Sequence, residues 1–130
     1  MAADESYPEE LKYHREHDWA KADGDTATIG ITWYAQDALG EIVHFEPPEQ
    51  GGSVAKDESY GEVESVKAVS DLVSPLSGEA AEVNQAVVAE PEKINEDPYG
   101  EGWLIKVRLS DPSEVDGLLD LAAYKELLSE

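Results

Sequence analysis

Hydrophobic and polar positions alternate with a period of two along much of this chain, in short runs cut by glycine and proline. Such alternation sends one set of side chains into a core and the other into solvent, so it predicts half-buried β-strands. Residues 7–19 read as an arm followed by an edge strand ending near Trp19, and residues 21–25, with Gly24, as a turn. Residues 26–32 are β-branched and alternating, and residues 41–46 alternate again. Between them residues 34–39 predict a short helix stopped at Gly40. Pro47, Pro48, Gly51 and Gly52 predict a rigid, tight loop. Residues 60–66 and 68–73 predict a pair of strands, Ser77-Gly78 a turn, and residues 79–84 a further strand. Residues 85–93 allow one helical turn cut by Pro91, and residues 95–102 form a polar loop. In residues 103–109, Trp103, Ile105, Val107 and Leu109 interleave with Lys106 and Arg108, a strong strand pattern. Residues 111–119 open a helix with Asp111 as cap and Pro112 at the first helical position. An interruption near Gly117 precedes an amphipathic helix over residues 121–128. The pattern predicts one mainly β domain over residues 1–130, with a hairpin at about 60–78 and C-terminal helices at about 111–129.

Composition narrows the chemistry. At 130 residues, 41% of them hydrophobic, the chain can bury one modest core. No apolar run approaches the length of a membrane span, so no membrane partner is expected. The opening residues include Asp4 and Glu5 and form neither a secretory h-region nor an Arg-rich transit peptide. A bacterial-type cytoplasmic location is therefore expected, with a mature mitochondrial form, its leader removed, as the alternative. Nine Lys and Arg against 30 Asp and Glu give a net charge of −21, which repels phosphate backbones and argues against nucleic acid. The acid serves solubility, steering toward basic protein partners, or both. With no cysteine, disulfides, thiolate metal sites and cysteine nucleophiles are excluded, and any thiol chemistry must come from a cofactor. His14, His17 and Asp18 lie close in sequence, but their spacing fits no metal template, and no metal is expected.

One stretch stands out. In Gly61-Glu62-Val63-Glu64-Ser65-Val66-Lys67-Ala68-Val69-Ser70-Asp71 a strand-like run rises to a lysine and a second falls away toward Ser74-Pro75 and Ser77-Gly78. If the strands pair, Lys67 sits at a hairpin tip. A tip is a poor place for a catalytic lysine, which needs desolvation to lose its proton. It suits an amine that a modifying enzyme must reach, or a tether that must swing. On the local pattern alone, an ordinary solvated lysine on a turn is the more common outcome.

The stretch resembles the lipoylation segment of the glycine cleavage system H proteins. The resemblance continues through His17-Asp18-Trp19, similar to the family's His-Glu-Trp with a shorter acid. It takes in Ile29-Gly30-Ile31-Thr32, Tyr34-Ala35-Gln36-Asp37-Ala38-Leu39-Gly40, Glu41-Ile42-Val43, and Glu46, Pro48 and Glu49. Further on come Glu82-Val83-Asn84, Asn95, Asp97-Pro98-Tyr99-Gly100-Glu101-Gly102-Trp103, Tyr124 and Leu127-Leu128, all in order. Trp33, His44, Phe45 and Pro47 depart from the family pattern, and none of them adjoins Lys67.

The resemblance implies a barrel-sandwich hybrid of the lipoyl and biotinyl carrier type, with short helices. It implies a carrier subunit, not an enzyme, with no catalytic residue of its own. Lipoic acid would be held in amide linkage to Lys67, with Glu64, Ser65, Val66, Ala68, Ser70 and Asp71 read by a lipoate-attaching enzyme. In the family's cycle a pyridoxal-phosphate glycine decarboxylase loads an aminomethyl group on the lipoyl sulfur. An aminomethyltransferase then passes the carbon to tetrahydrofolate, and an FAD-containing dihydrolipoamide dehydrogenase reoxidises the dithiol. The loaded arm is expected to fold into a cleft near His17, Asp18 and Asp71, where a carboxylate would meet the cationic amine. A monomer is expected. The alternatives are a relay scaffold that donates lipoyl groups to other enzymes, a different swinging-arm module, and an unmodified interaction protein. Lipoyl domains of 2-oxo acid dehydrogenases show Asp-Lys-Ala and biotinyl domains Met-Lys-Met, unlike Val66-Lys67-Ala68.

Overall fold

The computed structural model describes residues 7–129; the acidic opening segment read above lies largely outside them. The strands of the described residues form two antiparallel sheets. One has six strands: β1 (Lys12–Tyr13), β2 (Asp18–Asp23), β3 (Thr26–Ile31), β9 (Ile105–Leu109), β8 (Gly78–Val83) and β5 (Ser53–Val54), in that spatial order. The other has three: β4 (Ile42–Glu46), β6 (Ser59–Ser65) and β7 (Val69–Val73). The fold is mainly β, as the alternation predicts. Both sheets feed one core: Ile29, Val83, Ile105 and Val107 from the larger meet Phe45, Val63 and Leu72 from the smaller. The chain is thus a sandwich of two unequal sheets, each contributing the inward half of its alternating strands.

Among the described residues four short helices accompany the sheets: α1 (Trp33–Leu39), α2 (Gln85–Ala89), α3 (Lys93–Glu96) and α4 (Leu121–Leu128). Thr32 caps α1, its Oγ1 accepting from the Ala35 amide at 3.3 Å, and Gly40 ends it at a φ of 84°, a conformation glycine adopts without strain. A second cluster, Tyr7, Leu11, Tyr13, Trp19 and Tyr124, packs the C-terminal helix against the start of the chain. Tyr13 and Tyr124 stack with centroids 4.6 Å apart. Trp19 lies flat on Gly30, its cross-strand partner, where a Cβ would come within 2.7 Å of the indole.

Four local readings change. The edge strand read as ending near Trp19 stops at Tyr13, and Trp19 lies near the start of the next strand, β2. Residues 21–23 are strand, not turn: β2 runs on to Asp23 with its polar residues facing water, and the turn shrinks to Gly24-Asp25. The polar loop at 95–102 begins inside α3, anchored by the buried Ile94. The first C-terminal helical segment, Pro112–Gly117, is a 3-10 turn, capped by Asp111 as expected.

Candidate functional site

β6 and β7 pair in register up to Glu64 opposite Val69, and the Ser65 amide donates to the Ala68 carbonyl at 2.8 Å. Val66 and Lys67 form the tip. Ser65 is buried, and its hydroxyl oxygen accepts from the Lys67 amide at 3.2 Å and the Ala68 amide at 3.1 Å. A serine thus shapes this turn from within by satisfying amides that a two-strand tip leaves orphaned. The tip is also pinned sideways, because the Val66 amide donates to the Glu41 carbonyl at 3.1 Å. Lys67 itself is exposed, and its stem passes over Gly40: a Cβ built there would lie 3.5 Å from the lysine Cε.

Around the lysine the surface is unusual for so acidic a chain. Val66 is 67% exposed, Val69 61% and Val43 46%. Across the outer face of the small sheet, Val69, Glu64 and His44 make one cross-strand row and Asp71, Glu62 and Glu46 the next. Exposed apolar side chains beside the tip, rimmed by carboxylates, are what a partner with an apolar centre and a basic edge would fit.

The three expected docking residues differ in burial and in partners. His17 adopts φ 75°, its Nδ1 is 2.8 Å from the Tyr124 hydroxyl, and its ring lies against Tyr34 at 4.6 Å between centroids. Burial lowers its pKa. Tyr124 also meets the Thr32 hydroxyl at 2.8 Å, so this network ties α4 to the cap of α1. Asp18 faces the other way. It is only 2% exposed and accepts from the Tyr60 hydroxyl at 3.1 Å and from the Val73 amide. Burial drives its carboxyl well above the usual carboxylate range, against the lowering effect of those two donors. Asp71 is exposed on β7. Asp18 is therefore an interior carboxylate, not the solvent-facing edge-strand acid that its position in the sequence allowed.

Sequence reasoning passed over several neighbours. A surface groove of about 310 Å³ is lined by His14, Arg15, Glu16, Asp57 and Val73, directly above the Asp18 partner Val73. There His14 Nδ1 accepts from the Glu16 amide at 3.0 Å, which leaves Nε2 to donate to Asp57 at 2.6 Å. That contact holds the Asp57 carboxyl below its ordinary value. His14, His17 and Asp18, adjacent in sequence, thus turn to three different partners. Tyr60 carried no sequence signal and Asn95 only its place in the family pattern, because each acts on residues more than 40 positions away.

The geometry fits a covalently attached acyl arm. Lys67 is exposed, makes no ion pair among the described residues, and sits on a tip held by Ser65 and the Glu41 carbonyl. Comparison with known proteins identifies the family. The family model described as Glycine cleavage H-protein matches residues 11–130. A glycine cleavage system H protein of Rubrobacter xylanophilus is 54% identical over 123 residues, covering 95% of each chain. That of Symbiobacterium thermophilum is 51% identical over 123 residues, covering 95% of this chain and 96% of the relative. The crystal structure of the H protein from Mycobacterium marinum superposes with a TM-score of 0.86 at 41% identity, covering 95% of this chain and 99% of that one. With an exposed tip lysine, a two-sheet sandwich and matches along nearly its whole length, this chain belongs to the glycine cleavage H-protein family.

Proposed function

We propose that Lys67 is the attachment site of a lipoyl group, and that through it the chain serves as the carrier of the glycine cleavage system. The observation that carries this reading is an exposed lysine on a hairpin tip pinned by Ser65 and Glu41, in a member of this family. When bound, the dithiolane supplies the redox-active sulfur that a cysteine-free chain lacks. The protein's own share is positional. The rigid tip fixes one end of the arm and leaves the other free, which keeps cargo at high effective concentration near each successive enzyme. The partners on this reading are a pyridoxal-phosphate glycine decarboxylase, a tetrahydrofolate-dependent aminomethyltransferase, an FAD-containing dihydrolipoamide dehydrogenase and a lipoate-attaching enzyme.

The attaching enzyme reads the exposed set: Glu64, Val66, Ala68 and Asp71. Ser65 and Ser70 contribute through shape, since the Ser65 hydroxyl turns into the tip and the Ser70 hydroxyl donates to the Asp71 carbonyl at 3.2 Å. A cationic group carried on the arm is met by surface carboxylates, Asp71 or the groove-lining Glu16. Asp18 bonds the backbone of Val73, which lines that groove, while His17 is turned to Tyr124.

The test is an intact mass with peptide mapping after incubation with a lipoate-attaching enzyme, lipoate and ATP. One lipoyl group on Lys67, and none on Lys67→Arg, is the expected result. An unmodified wild-type chain, or a group on another lysine, overturns the assignment. Hydrolysis of the loaded carrier in Asp71→Asn and Glu16→Gln checks the docking surface; unchanged half-lives in both remove these carboxylates from it.

A further inference from the structure

We infer that Asn95 is the positioning residue of the carrier lysine: its side-chain amide holds the segment between α1 and β4 on which the hairpin tip is seated. This rests on the proposed role of Lys67. The contacts are fully specified. Asn95 Nδ2 donates to the Gly40 carbonyl at 2.9 Å and to Gln36 Oε1 at 3.0 Å, while Oδ1 accepts from the Ile42 amide at 2.8 Å. The Gly40 carbonyl can only accept and the Ile42 amide can only donate, so the orientation of the Asn95 amide is fixed by its partners. Both of its N–H donors and its acceptor are used.

Between the two backbone groups it grips lies Glu41. That carbonyl takes the Val66 amide at 3.1 Å, and Gly40 underlies the Lys67 stem. One side chain thus fixes two of the points on which the tip rests. Asn95 is itself held hard: it follows Ile94, which is fully buried, and α3 is pressed on Gly102, where a Cβ would fall 2.7 Å from the Lys93 carbonyl and 2.9 Å from Ile94 Cα. The polar asparagine in an apparent loop is a rigid bracket, reaching across 53 residues to Ile42.

Only an amide does this. In Asn95→Asp the size is kept and the Ile42 amide keeps its acceptor, but a carboxylate oxygen then faces the Gly40 carbonyl and Gln36 Oε1, replacing two attractions with repulsions. Asn95→Ala removes all three contacts without adding charge. Two readouts separate positioning from general destabilisation. Backbone hydrogen exchange at Val66 is expected to quicken about tenfold in both variants, the scale of one hydrogen bond lost. Exchange at Leu104, whose amide bonds Ile29 in the large sheet, stays as in wild type. In lipoylation kinetics KM for the carrier rises several-fold while kcat holds, because the amine itself is untouched.

Wild-type exchange at Val66 in both variants overturns the inference, as does an equal quickening at Val66 and Leu104. Failure of the wild-type chain to be lipoylated at all overturns the carrier reading instead, and the exchange measurement still decides whether Asn95 holds the tip.

Discussion

Removing one hydroxyl should reveal the charge state of the molecule's interior carboxylate. Asp18 is buried under Val73 with the Tyr60 hydroxyl 3.1 Å from Oδ2, and Tyr60 is itself buried. Tyr60→Phe deletes the donor and leaves the ring in place. A hydrogen bond to an ionised group contributes about 1.5–3 kcal/mol and one between neutral groups about 0.5–1.5 kcal/mol. The loss should therefore be larger when Asp18 is charged. The direction follows from linkage. The folded carboxyl is raised well above 3.8, so the folded state holds its proton where the unfolded chain has lost it. The contribution of Asp18 to stability is complete below the unfolded value of 3.8 and is lost as pH rises through the folded one. Taking away Tyr60, which lowers that value, widens the window and enlarges the total loss. Urea titrations of both proteins at about pH 4.5 and about pH 8 measure this, with the difference between proteins cancelling the other carboxylates. The expected cost is about 1 kcal/mol in acid and about 2–3 kcal/mol at the alkaline end. An equal cost at both ends, or none, refutes the account of Asp18 as a buried acid balanced between desolvation and two donors.

Other outcomes follow from the same contacts. Ser65→Ala strips the tip of the oxygen that accepts the Lys67 and Ala68 amides; a loss of about 1–2 kcal/mol in thermal unfolding, with faster exchange at those two amides, is expected. Gly78→Ala sets a Cβ against the Arg108 carbonyl oxygen and 2.8 Å from Val107 Cγ1, where backbone cannot yield, so a cost of about 3 kcal/mol or more should appear as a lowered urea midpoint. Because an acidic rim surrounds Lys67, Glu64→Gln and Asp71→Asn should each raise the attaching enzyme's KM by about two- to fivefold at low salt, and the effect should shrink as salt is added.

How far the sequence could be read depended on how far each interaction reaches along the chain. Alternation is local, so the strands were legible, and so was the hairpin that lifts Lys67, since its pairing joins neighbours such as Glu64 and Val69. Residues 21–23 misled because polar residues on an exposed strand end resemble a turn. The 3-10 turn at Pro112–Gly117 carries the same cap and proline as an α-helix, and nothing in those signals distinguishes the two. Asp18 misled in a different way. Its acid type pointed to solvent, while its partner Tyr60 lies 42 residues on and pulls it inside. The seat of the tip was least legible, because Asn95 looks like any loop asparagine until Gly40 and Ile42 are brought to it.

The Asn95 bracket also orders events during synthesis. The hairpin can pair as soon as Val73 has emerged from the ribosome, but its footing waits for Asn95, and the Tyr124 latch on Thr32 comes later still. A nascent chain offers the target lysine on an unsupported ribbon, and the finished one offers it on a braced mount. An enzyme that reads the mounted tip meets its full substrate only after Asn95 has emerged and docked.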